Sequence, residues 1–143
     1  MIRKAFLKDS KEIYNLLKEI YELHKTLYPE FFSSDNDSKY NLKEVEELIK
    51  DNKYLIKVYI NEENKLVGYL IGYYIEDYFY IDDLCVNKNY QHQKIGSKLI
   101  ESLKEENIIN LRLNVYYLNK NAIKFYEKLG FKILKQTMYL ELK

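Results

Sequence analysis

Between Leu111 and Phe131 the chain sets down a strand, a turn and a capped helix, and few folds accommodate that order at this spacing. Leu111-Arg-Leu113-Asn-Val115 alternates apolar and polar residues as a strand does. Asn119 stands where a helix N-cap belongs, and Ala122, Phe125, Tyr126 and Leu129 recur at i, i+3, i+4 and i+7, which makes one apolar face. Gly130 occupies the position where a helix end needs positive φ, and Phe131 restarts an extended run. Taken alone, this is an amphipathic helix with core aromatics. An earlier strand–loop–helix, Leu84-Cys85-Val86 running to Gly96-Ser97, adds a second unit of the same kind.

Together the two units resemble the GNAT superfamily of acyl-CoA-dependent N-acetyltransferases. The family's later segment reads Asn-x-x-Ala-x-x-Phe/Leu-Tyr-x-x-x-Gly-Phe, matched here at Asn119, Ala122, Phe125, Tyr126, Gly130 and Phe131. Its earlier loop, Gln/Arg-x-x-Gly-x-Gly/Ala, corresponds to Gln91-His92-Gln93-Lys94-Ile95-Gly96, followed by Ser97, with Lys94 in place of one glycine. The resemblance is sharp from about Tyr80 to Phe131 and loose before that. It implies an α/β fold with a twisted, largely antiparallel sheet splayed between its fourth and fifth strands and flanked by helices. It also implies acetyl-CoA as acyl donor, an amine acceptor that is a small molecule or a peptide, and direct attack in a ternary complex without a metal. In the family the Tyr126 position supplies a proton to the leaving thiolate, Asn119 touches the pantetheine arm, and the region of His24, Tyr28 and Phe31 builds the acceptor pocket. The alternative function is a catalytically silent acyl-CoA-binding sensor, which the lost glycine at Lys94 favours and the retained Tyr126 opposes.

The residues support this reading independently. In Tyr80-Ile81-Asp82-Asp83-Leu84-Cys85-Val86, Ile81 has odd parity while Leu84 and Val86 have even parity. A regular strand cannot turn all three to one core, so a β-bulge near Asp82–Leu84 is expected. By resemblance the bulge aims a backbone N–H from Leu84, Cys85 or Val86 at the thioester carbonyl. The Gln91–Ser97 loop opens a helix whose first amides suit a pyrophosphate, and Gly96 lets a phosphate approach the backbone. Lys94 gives up that closeness at its own position but brings an ammonium.

A protonated amine (pKa ~10.4) needs a base or water relay before it attacks, and Asp82 or Asp83 is placed for it, with Asp82 preferred. Two adjacent acids at a strand end are equally often just solvated. Tyr73, Tyr74, Tyr78 and Tyr80, with Glu76 and Asp77, would line an aromatic, acidic groove for a cation or else be half-buried strand residues. Cys85 reads as a buried thiol, and His92 as a solvated loop residue unless it joins the cofactor loop.

At 143 residues the chain suits a single domain, 1–143, able to bury roughly two-thirds of its unfolded surface. Lys+Arg 23 against Asp+Glu 22 leaves +1, with no basic block that would point to nucleic acid. One cysteine rules out an intrachain disulfide and a Cys/His metal cluster. No apolar run of membrane-spanning length occurs, and the charged start (Arg3, Lys4, Lys8) lacks a signal-peptide pattern, so a cytoplasmic protein is expected, with a homodimer open to it as in many members of the family it resembles. Periodicity predicts strands at 2–6, 54–60, 66–75, 77–86, 109–115 and 131–142, and helices at 9–26, 41–50, 96–106 and from Asn119. The order is β-α-α-β-β-β-α-β-α-β.

Overall fold

The computed structural model describes residues 1–30, 32 and 38–143. The elements are β1 (Ile2–Lys4), α1 (Ser10–Leu27), α2 (Leu42–Lys50), β2 (Tyr54–Ile60), β3 (Leu66–Ile75), β4 (Tyr78–Val86), α3 (Ile95–Glu101), β5 (Leu111–Arg112) and α4 (Lys120–Lys128). Local chemistry accounts for most of the boundaries. Asn41 caps α2 by accepting from the Glu44 amide at 2.8 Å, while the Glu44 carboxylate accepts from the Asn41 amide at 3.0 Å, a closed capping box. Gly130, at φ 101°, ends α4 in the conformation expected of it.

The strands lie in the order β1-β2-β3-β4-β5 and are antiparallel except at the β4–β5 pair. β3 is buried from Leu66 to Gly72 because helices cover both of its faces. On one face, Ile13, Leu16 and Leu17 of α1 and Val45 and Leu48 of α2 pack on Ile56, Val58, Tyr69, Ile71 and Cys85. On the other, Ile95, Leu99 and Ile100 of α3 pack with Val67, Leu70, Phe79 and Ile81, with Phe125, Tyr126 and Phe131 of the α4 region against them. Among the described residues no helix is long and apolar enough to cross a membrane.

The sheet splays where the resemblance implies. β5 pairs with β4 only at Phe79 and Tyr80, so Ile81–Val86 have no strand beside them on that side among the described residues. The final strand expected at 131–142 is not seen among the described residues: no ladder among them includes this segment, and most of its apolar side chains stay exposed. Alternation is present there, but a strand also requires a partner edge, which alternation alone cannot supply.

Candidate active site

The bulge predicted from side-chain parity sits at Asp82. Asp83 pairs with Ile71 and Ile81 with the next residue of β3, Gly72, so Asp82 is the extra residue. The extra residue turns Ile81, Leu84 and Val86 to the α3–α4 face while Cys85 faces the α1–α2 core. The Asn87 amide donates to the Val67 carbonyl at 2.8 Å, so by antiparallel alternation the Cys85 amide also bonds toward β3. The Leu84 and Val86 amides therefore point away from β3. Of the three backbone positions expected to serve a ligand, Cys85 lies in the ladder, the Leu84 amide donates to the Asp83 carboxylate, and Val86 faces the open side.

Asp82 and Asp83 have different surroundings. Lys39, just before α2, donates to Asp82 Oδ1 at 2.9 Å and to its carbonyl at 3.1 Å, and the Tyr40 hydroxyl donates to Oδ2 at 2.7 Å. Both carboxylate oxygens of Asp82 are thus occupied. Asp83 accepts from the buried Tyr69 hydroxyl at 2.9 Å. Burial raises its pKa to about 6, against the opposing pull of Lys39 and the Tyr69 hydrogen bond. Lys39 itself stays firmly protonated between the two acids, its own desolvation outweighed by their charge.

Tyr126 is half-buried on α4, its ring 5.1 Å from Phe125 and 5.4 Å from Phe131. Burial, and secondarily the charge of Asp83, raises its pKa to about 12, so its proton is retained at neutral pH. Asn119 caps α4 as expected, accepting from the Ala122 amide at 3.3 Å. Cys85 is a buried thiol whose Sγ donates to the Leu16 carbonyl at 3.7 Å, and burial pushes its pKa up, which excludes a thiolate nucleophile.

Gln91, His92 and Gln93 lie on an exposed 3-10 turn leading into α3, and Ser97 is half-buried in the first turn of that helix. Lys94 adopts φ 59°, ψ 26°, the left-handed conformation that favours glycine, so the backbone keeps the glycine shape although the residue has changed. Ile95 and Gly96 are buried. A Cβ at Gly96 would sit 3.0 Å from the Phe125 ring, so this glycine permits α3 and α4 to approach closely, a role the sequence reading did not assign to it.

Several residues expected on the acceptor side gather at the C-terminal end of α1. Tyr28 is buried, and its ring lies 4.3 Å from that of Tyr116; Phe32 is 5.3 Å from His24 and 5.6 Å from Tyr116. Burial lowers the His24 pKa, helped by nearby Lys39, so His24 is neutral at pH 7. Tyr80 is half-buried, 5.6 Å from Tyr73, and close enough to Lys39 and Asp82 to feel both charges. Phe31, expected in this pocket, lies outside the described residues. Lys39, Tyr40, Tyr69 and Tyr116 were missed, because none carries a spacing signal and each reaches the site through a long-range contact.

Comparison with known proteins adds an independent finding. The model of the Acetyltransferase (GNAT) family matches residues 17–131. A crystal structure of a mutant of the BH1408 protein from Bacillus halodurans is 27% identical, with TM-score 0.90 over 100% of this chain and 99% of that one. The PaiA N-acetyltransferase from Thermoplasma acidophilum, solved with coenzyme A, is 21% identical, with TM-score 0.81 over 96% of this chain and 92% of that one. An aminoglycoside acetyltransferase from an uncultured soil metagenomic sample, solved with sisomicin, is 23% identical, with TM-score 0.69 over 100% and 95% of the two chains.

Proposed function

The chain belongs to the GNAT acetyltransferase family, and from that membership we propose that it is an N-acetyltransferase carrying an acetyl group from acetyl-CoA to a primary amine. The acceptor class, a small amine or a protein amine, follows the range seen among the similar structures, which include an aminoglycoside acetyltransferase and a ribosomal-protein-alanine N-acetyltransferase. The observation that supports the reading is a tyrosine that keeps its proton, Tyr126, close enough to feel the charge of a carboxylate raised to about 6, Asp83.

Acetyl-CoA supplies an activated thioester acyl group. The open gap, with the Val86 amide facing it and the left-handed Lys94 ahead of α3, suits an extended pantetheine and its pyrophosphate. The acceptor nitrogen bonds to the acyl carbon as the C–S bond breaks. Asp83 accepts the proton that the ammonium must lose before attack, Tyr126 gives its proton to the departing sulfur, and the second proton, shed by nitrogen as the amide forms, restores the Tyr126 hydroxyl. Asp82 is the weaker choice for the base, since Lys39 and Tyr40 hold both of its oxygens. It serves better as the anchor that fixes the loop before α2 against the bulge. No covalent enzyme intermediate is required.

Two measurements test this. Acetyl-CoA at about 100 times its dissociation constant is expected to add ~2.7 kcal/mol of stability, read as a thermal shift. Free thiol should then appear when amines are offered. The absence of any shift removes the reading, and a shift without turnover on any amine or peptide favours the sensor.

A pH profile tests the base. Log(kcat/KM) is expected to rise with pH and break near 6, the pKa of Asp83, well separated from an ordinary amine at ~10.4. Tyr69→Phe removes a hydrogen bond that favours ionised Asp83 and should move the break upward. Stability should run the opposite way. Because folding raises the pKa of Asp83, its contribution is fully present below the unfolded value of ~3.9 and is lost as pH rises through about 6. A profile that keeps its break near 6 in Asp83→Asn assigns the base elsewhere.

A further inference from the structure

We propose that Lys39 makes the acceptor site selective for amines that carry a single positive charge, because its ammonium neutralises one of the two acids at the bulge and repels a second cation on the acceptor. This rests on the acetyltransferase function proposed above and narrows its acceptor class. Lys39 comes from the segment before α2 and is bound twice at the bulge, to Asp82 Oδ1 at 2.9 Å and to the Asp82 carbonyl at 3.1 Å. Its side chain is 43% exposed and that of Asp82 12%, so the pair shows its cation, not its anion, to an incoming molecule. The Tyr40 hydroxyl holds the other Asp82 oxygen at 2.7 Å. That bond already ties the segment to the bulge, so an anchor alone would not need the lysine's charge.

The charges around the site leave room for one ammonium. Those acting most on His24, Tyr40, Tyr80, Asp83 and Tyr126 come, among the described residues, from Lys39, Asp82 and Asp83. Two carboxylates against one ammonium amount to a single uncompensated negative charge, and Asp83, half-buried beside Tyr69, carries it. One acceptor ammonium uses that charge. A second would meet no further acid among these groups, only tyrosine rings, a neutral His24 and Lys39 itself. Like charges set together cost affinity, and sites reject the wrong partner by this means.

The test uses two matched pairs of acceptors that differ in one positive charge. One pair is pentylamine and cadaverine, the same chain with a second ammonium; the other is an alanine-led peptide with glutamine or lysine in second place. The wild type should show a kcat/KM about tenfold higher for the singly charged member, the scale of a like charge held several ångströms away near a protein surface. Lys39→Met should erase that preference, chiefly by lowering KM for the doubly charged member, and Lys39→Arg should restore it. Lys39→Gln, which keeps a donor for Asp82 without the charge, should match Lys39→Met and replaces it if that variant does not fold. A lysine that only anchors its segment would slow both members alike in these variants and leave their ratio unchanged, which overturns the proposal. So does a wild type that favours cadaverine or the lysine peptide. Failure of the underlying function looks different: neither member of either pair releases thiol from acetyl-CoA, and the proposal falls with it.

Discussion

Tyr126→Phe is expected to lower kcat by about 10²–10⁴, the range for losing a positioned proton donor, with acetyl-CoA binding intact. The substitution removes one oxygen and keeps the ring, so the contacts to Phe125 and Phe131 persist and α4 stays docked. Its effect can therefore be read as chemistry. The raised pKa sharpens the expectation: a phenol at about 12 is almost wholly protonated at pH 7, so essentially every molecule carries the proton that the departing sulfur needs. Thiol release under saturating substrate gives the rate, and the acetyl-CoA thermal shift gives binding. Full activity in this variant returns Tyr126 to the core and sends the search for the acid elsewhere.

The largest stability effect is expected at Gly72, in the middle of β3. A Cβ there would lie 2.3 and 2.4 Å from two atoms of the buried Phe79 ring and 2.7 Å from the Tyr80 carbonyl oxygen. The ring is fully buried, and the carbonyl belongs to the neighbouring strand, so neither can step aside cheaply. Gly72→Ala should cost about 3 kcal/mol or more, near the upper end for overpacking, which lowers the melting temperature by about 10 °C in a chain this size. Phe79→Leu in the same chain should recover part of that loss, because it withdraws the ring but leaves the carbonyl clash. A melting temperature within 2 °C of wild type for the single variant, roughly the shift from half a kcal/mol, would show that β3 and β4 separate more freely than their packing indicates. Gly72 also pairs with Ile81, beside the bulge, so activity should fall further than stability alone explains.

The parts of this protein that were readable from sequence are those written in short-range terms. Caps at Asn41 and Asn119 depend on an oxygen reaching an amide three residues on, and the stop at Gly130 on one backbone angle. The helical stripes of α1 and α4 depend on a 3.6-residue period. Even the bulge was legible, because the parity of Ile81 against Leu84 and Val86 is a local contradiction that only an extra residue resolves. The family resemblance was legible for the same reason: its motifs are compact.

What the tertiary structure alone decided lies across the chain. Asp82 and Asp83 are adjacent and identical in type, and nothing near them in sequence separates their roles. Lys39 and Tyr40, 43 and 42 positions from Asp82, occupy its oxygens, while burial beside Tyr69 raises the pKa of Asp83. Gly96 read from sequence as a phosphate glycine, and only the fold brings Phe125 against it as well. The alternation of 131–142 announced a strand, but a strand also needs an edge, and no ladder among the described residues includes that segment. Periodicity and capping are properties of a segment; desolvation, charge pairing and strand partnership belong to whatever the fold brings beside it.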